Sequence, residues 1–249
     1  MTQAKKIVVI GATSGLGREM AAQLVRAGYK VGVAGRRSEL LGSFVEEYKG
    51  VATEPIEQQV IDITSQGATA SLDELIERMG GMDILLHVSG AGFENPSLEE
   101  GKERHITEVN SVGFVTIIDH AYHWFRTHGG KGHIAAVTSI AGTKGMGVAP
   151  AYSASKRLQT TYLSALAQHA RMDGVRLHIT DIRPGYAQTD ILTPGKKYEA
   201  TIYQDAKGIS WDNNPSTYEI RRQKVTSKSV LKLQSAPGGG FAVSLKEIE

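Results

Sequence analysis

Short apolar runs recur along the first two-thirds of the chain, separated by longer stretches in which apolar residues return every three or four positions. KIVVIG (6–11), KVGVAG (30–35), QQVIDI (58–63), DILLHVSG (83–90), HIAAVTS (133–139) and RLHITDIRPG (176–185) each predict a strand. After the first of them, GLGREMAAQLVRAG (15–28) repeats Met20, Leu24 and Ala27 at helical spacing. SLDELIERMGG (71–81) puts Leu72, Leu75, Ile76 and Met79 on one face and ends in glycines that can stop a helix. Strands alternating with helices of this length predict βαβ crossovers, and hence a parallel sheet covered on both faces. No internal repeat or low-complexity tract breaks the pattern.

The alternation fails after Pro194. Residues 195–249 carry nine Lys/Arg and six Asp/Glu, and their apolar residues keep no sustained period. Asn214-Pro215 suits the start of a helix over 215–234, because Asn caps a helix and Pro fits its first turn. GGGFAVSL (238–245) suits a short last strand. By the family resemblance given below, residues 186–235 would be a substrate loop or lid, with Tyr203 and Trp211 lining a pocket or anchoring the segment. Residues 236–249 would hold the last strand and the tail; the length fits one large domain or two small ones, and that resemblance implies a single one over 1–249.

Composition narrows the partners. Apolar residues at 41% and charged residues at 22% are those of an ordinary globular chain, and a net charge of +2 is too small to argue for a nucleic-acid groove or an anionic membrane surface. The absence of cysteine excludes disulfides and thiol nucleophiles. MTQAKKIVVIGATSG is too short in its apolar run for a signal peptide, and no run approaches the length of a spanning helix, so a cytoplasmic protein is expected. Eight histidines include His120 and His123 one turn apart, but no acid accompanies them at a zinc-site spacing and no metal is expected. The aromatic run Tyr122 to Phe125 reads as core or subunit contact, and EIRRQK (219–224) as a solvated helix face.

Candidate chemistry begins at the end of the first strand. GATSGLG spaces Gly11, Gly15 and Gly17 immediately before a helix, where a pyrophosphate needs backbone amides and no Cβ in the way. Thr13 and Ser14 add hydroxyl donors; a plain glycine-rich turn is the alternative. The second strand ends VAGRR, with Arg36 and Arg37 where an acid would bind a ribose 2′-hydroxyl. Guanidinium forks suit a 2′-phosphate, which favours NADP(H) and leaves NAD(H) second. Asp62, at the end of the third strand, either accepts from an adenine amino group or caps the next turn. Further on, PAYSASKRLQ places Tyr152 and Lys156 one helical turn apart, a spacing that taken alone also fits an exposed surface pair.

In chain order GATSGLG, Asn110, Ser139, Tyr152-x-x-x-Lys156 and Pro184-Gly185 resemble the short-chain dehydrogenase/reductase family, over about residues 5–194. The resemblance implies a three-layer, doubly wound Rossmann fold of strand order 3-2-1-4-5-6, with a seventh strand from the tail. It implies a nicotinamide cofactor, a small carbonyl or alcohol substrate, a homodimer or homotetramer, and a Ser-Tyr-Lys centre supported by Asn. A developing alkoxide needs a hydrogen-bond donor and then a proton, and a lysine ammonium beside a phenol eases that transfer. Tyr152 would be the proton donor or base, Lys156 its activator and ribose ligand, and Ser139 the group polarising the carbonyl. Asn110 would hold a water linking Lys156 to solvent. Leu16, Ile63, Ser89 and Gly90 would border the cofactor, and Pro184, Gly185, Tyr186, Ala187 and Thr189 would close over the nicotinamide. The chain departs from the family at His87-Val88-Ser89-Gly90, where many members read Asn-Asn-Ala-Gly. That segment and the irregular tail leave room for a nucleotide-binding regulator with little catalysis. Sugar epimerisation or dehydration would want more than the 55 residues after Pro194.

Overall fold

Each of the six apolar runs folds as a strand: β1 (Lys6–Ile10), β2 (Lys30–Gly35), β3 (Glu57–Val60), β4 (Ile84–His87), β5 (Lys131–Val137) and β6 (Arg176–Ile182). They form one parallel sheet in the order β3-β2-β1-β4-β5-β6. The computed structural model describes residues 4–185, 197–206, 218–226, 229, 231 and 241–248. It divides the chain into two compact units, Met1–Pro184 and Gly185–Glu249.

In the first unit the central strand β1 is buried on both faces, which is why it reads as unbroken apolar sequence. On one face Val8, Ile10, Leu85 and Ile134 pack under α3 (Ala68–Met79), α5 (Phe114–Thr127) and α6 (Pro150–Met172). On the other, Ile7, Val9, Val31 and Val33 pack under α1 (Gly15–Arg26) and α2 (Ser38–Tyr48). This is the parallel sheet covered on both faces that the alternation predicts, in the three-layer doubly wound arrangement that the family resemblance implies. Strand order reverses between β1 and β4, and such a switch point opens a crevice at the carboxyl ends of the strands. Tyr122 and Phe125 are fully buried, so that aromatic run serves the core.

One stretch departs from regular helix. Between α4 (Glu100–Thr107) and α5, residues Glu108–Gly113 form a π-helical turn, a distortion frequent at functional sites. Asn110 sits in it.

The second unit is a three-stranded antiparallel sheet of β7 (Lys197–Asp205), β8 (Tyr218–Val225) and β9 (Phe241–Ile248), in the order β8-β7-β9. Tyr198, Ala200 and Ile202 alternate along β7 and are buried with Val225. The helix expected over 215–234 is corrected here: Tyr218–Val225 is a strand, held in register with β7 through pairs such as Tyr203↔Ile220. Cross-strand pairing prevails over the Asn-Pro start signal, and EIRRQK lies on a mostly exposed strand. The last strand exists, shifted to 241–248, but it pairs antiparallel with β7. Among the described residues it adds no seventh strand to the parallel sheet, and the reading of one domain through residue 249 differs from the two units observed. No helix among the described residues is long and apolar enough to cross a membrane.

Candidate active site

The turn from β1 into α1 is a backbone cradle. Gly11 has φ +95°, and a Cβ there would lie 2.6 Å from the Ser89 nitrogen. A Cβ at Gly17 would collide with the Gly11 carbonyl oxygen. Both positions therefore require glycine, and the close approach keeps the start of α1 open to a ligand's phosphate. Ser14 precedes α1 without a capping bond from its side chain, which leaves the first-turn amides to other partners. Arg37 reaches back from the end of β2, and its Nη2 donates to Thr13 Oγ1 and Ser14 Oγ, both at 2.7 Å. The second arginine of VAGRR thus sits over the glycine turn. A nicotinamide dinucleotide fits this donor set: a glycine cradle, two hydroxyls and a guanidinium.

Asp62 caps the turn that follows β3. Its Oδ1 accepts from Thr64 N at 3.0 Å and Thr64 Oγ1 at 2.7 Å, and those bonds hold its carboxyl below the usual range. Ile63 is buried against Gly113 of the π-helical turn. Leu16 is partly exposed at the start of α1.

The other half of the site is built on α6. Lys156 Nζ lies 5.8 Å from the Tyr152 ring centroid, as the one-turn spacing predicts. Two loops press onto this helix where side chains would not fit. A Cβ at Gly92 would be 2.7 Å from Tyr152 Cε2, and one at Gly142 would be 2.8 Å from the Lys156 backbone carbon. The second loop carries Ser139, two residues past the end of β5, whose Oγ accepts from Ala141 N at 3.0 Å. Ile140 N donates to Pro184 O at 3.1 Å, tying the exits of β5 and β6 together.

Lys156 is 5% exposed and donates to Val137 O at 3.3 Å and Gln159 Oε1 at 3.1 Å. Burial pushes its ammonium down to about 8, with Asp181 opposing the shift. Asn110 is fully buried and its side chain clamps the loop after β4, accepting from Ala91 N at 2.8 Å and donating to Ala91 O at 2.7 Å. A Cβ at Gly90 would touch both Asn110 Oδ1 and Lys156 Nζ, which places this loop against the two. The same asparagine donates to Ser155 Oγ at 3.1 Å.

His87, where the chain departs from the expected family pattern, is a packed histidine, edge-on to Phe114. It is 1% exposed, and its Nε2 is buried without a partner among the described residues. Burial, reinforced by the Lys156 charge, pushes it down to about 3, so the imidazole is neutral.

Two contributors escape a motif search. Glu103 Oε2 accepts from Ala151 N at 2.9 Å, so a carboxylate caps α6 one residue before Tyr152. Its Oε1 accepts from Asn95, itself fully buried. Gln159 is the second; its only signal in the sequence is a polar residue on the buried face of α6, three positions after Lys156. Of the predicted cofactor residues, Gly185 begins the second unit, and Tyr186, Ala187 and Thr189 lie outside the described residues, as does Trp211 of the expected lid. Among the described residues no group of three or more His, Asp or Glu side chains gathers as a metal site would need.

A family model described as short chain dehydrogenase matches residues 5–199. An uncharacterized oxidoreductase of Myxococcus xanthus is 33% identical over 189 residues, covering 74% of this chain and 72% of its own. An actinorhodin polyketide ketoreductase solved with NADPH is 25% identical, with a TM-score of 0.68 over 74% of this chain and 71% of its own. An alcohol dehydrogenase from the archaeon Thermococcus sibiricus, complexed with 5-hydroxy-NADP, shares the fold at 20% identity, with a TM-score of 0.69 over 76% of this chain and 79% of its own. Residues 181–246 match a second, unrelated model, described as glycosyl-hydrolase 97 C-terminal, oligomerisation.

Proposed function

The chain belongs to the short-chain dehydrogenase/reductase family of oxidoreductases, and on that premise we propose that it uses NADP(H) to interconvert a small-molecule carbonyl and its alcohol. The observation that carries this reading is the buried Lys156 ammonium held under the Tyr152 ring, in the same unit as a glycine cradle at the sheet's switch point. A bound nicotinamide supplies hydride in reduction and takes it in oxidation.

The protein's own groups handle the charge and the proton. Ser139 Oγ already accepts one bond, and its hydrogen is left to donate to a substrate oxygen. Tyr152 gives its phenolic proton to the developing alkoxide in reduction and takes it back in oxidation. The Lys156 ammonium stabilises the phenolate that remains, more strongly than in water because the pair is partly desolvated. Asn110 holds the loop that borders them.

Gly11, Gly15 and Gly17, with Ser14 and the start of α1, would hold the pyrophosphate. Arg36 and Arg37 would take a 2′-phosphate, and the NADP-type ligands of the two solved relatives support that preference over NAD(H). A homodimer or homotetramer accompanies this reading, and the similarity of residues 181–246 to a module described by oligomerisation supports it. Light scattering on the purified chain measures that directly.

Turnover of a panel of ketones and aldehydes with NADPH tests the function. Tyr152→Phe is expected to lose at least about 100-fold in kcat while keeping NADPH affinity. Undiminished turnover in that variant would remove Tyr152 from the chemistry. Tight NADPH binding without turnover across the panel would assign the chain to nucleotide binding alone.

A further inference from the structure

Gln159 is fully buried and joins two groups of the candidate site. Its Nε2 donates to the Asn110 main-chain carbonyl at 2.8 Å, and its Oε1 accepts from Lys156 Nζ at 3.1 Å. The orientation of the amide is dictated by its neighbours. An ammonium can only donate and a carbonyl can only accept, so the flipped amide would set donor against donor and acceptor against acceptor. In a fully buried position each such mismatch would leave a desolvated polar group unsatisfied.

We propose that Gln159 is a positioning residue of this site: its side-chain amide bridges the π-helical turn and α6, fixes Lys156 beside Tyr152 and holds the lysine in its charged form. The proposal deepens the oxidoreductase reading, since the charged lysine matters there for the tyrosine proton. It also assigns to a side chain the link between Asn110 and Lys156 that the family resemblance gives to a water. An amide fixed at both ends donates and accepts without exchanging protons as water does.

The charge state of Lys156 follows from what surrounds it. His87 from β4 faces it as a neutral imidazole, Asp181 from β6 attracts it, and Tyr152 lies one turn back on its own helix. Against burial, hydrogen-bond acceptors favour the ammonium, and among the described residues Val137 O and Gln159 Oε1 supply them.

The test is an NMR titration of the lysine ε-methylene in the full-length, cofactor-free protein, which needs no substrate. Wild-type Lys156 should titrate near 8. Gln159→Met removes the acceptor at similar volume and should move that midpoint down by about one unit. Gln159→Glu keeps an acceptor and adds charge, and should move it up by one unit or more. Opposite shifts support the proposal, because loosened packing alone would move both variants the same way. Unmoved midpoints, or shifts of one sign, overturn it. Should neither variant fold, the wild-type Gln159 side-chain amide decides: strong protection from hydrogen exchange is expected, and exchange at the rate of an exposed glutamine overturns the proposal. Failure here leaves the Tyr152→Phe result untouched, so the two readings fall separately.

Discussion

Lys156 Nζ stands 5.8 Å from the centroid of the Tyr152 ring, with the lysine 5% exposed. A charged group this well buried makes folding depend on pH. Its folded value of about 8 lies below the ordinary 10.5, so between those values the unfolded chain binds more protons than the native one. Stability from this group is therefore present above 10.5 and is lost as pH falls through 8. Urea unfolding of wild type against Lys156→Met should reveal a contribution growing by about 3 kcal/mol between pH 8 and 10.5. A constant difference between the two proteins across that range would show that Lys156 is not desolvated.

His87 sets the acid side. Its folded value of about 3 lies well below the ordinary 6.5, so stability from the neutral, buried imidazole is present above 6.5 and is lost as pH falls toward 3. The loss amounts to on the order of 4–5 kcal/mol if the native state persists over the range. His87→Asn, which carries no titrating group, should show a shallower acid limb in chemical unfolding between pH 6.5 and 4. Parallel acid limbs would mean that water reaches the ring.

Arg37 already lies across Thr13 and Ser14 at 2.7 Å, so little side-chain entropy remains to be lost when it takes up a phosphate. Arg37→Ala is expected to weaken NADPH by about 10- to 50-fold and NADH by less than about twofold. Fluorescence titration with both dinucleotides measures it, and equal losses would remove the 2′-phosphate role.

At Gly17 the constraint is contact with backbone. A methyl group there meets the Gly11 carbonyl, which belongs to the turn itself and cannot rotate away. Gly17→Ala should lower stability by about 1–3 kcal/mol and dinucleotide affinity by more than about tenfold. A variant with wild-type melting and binding would show that α1 can shift without cost.

Much of the first unit is legible in the sequence. Strands buried on both faces, such as β1, leave unbroken apolar runs, and amphipathic crossover helices leave a three-to-four repeat. Tyr152 and Lys156 are legible as a pair for the same reason: the period of an α-helix is local, and four positions along it is one turn. The second unit is not. β7 buries Tyr198, Ala200 and Ile202, but the partners that make that alternation meaningful lie some twenty and forty residues further on. Nothing local in 218–225 outweighs the helix-start signal at Asn214-Pro215, and only strand pairing with β7 does.

By itself, then, the sequence determined the alternation of strands and crossover helices, the glycine turn and the Tyr152-Lys156 spacing, because each rests on a pattern within or at the end of one element. The doubly wound order and the places of Asn110 and Ser139 came from the family resemblance. Tertiary structure alone decided what surrounds them. Glu103 caps α6 from another helix, 48 positions away from Ala151. Asn110 meets Gln159 across 49 positions, through a π-helical turn that no periodicity announces. The neutrality of His87 and the lowered affinity of Lys156 for its proton arise from burial, a property of the packed chain and of no single segment.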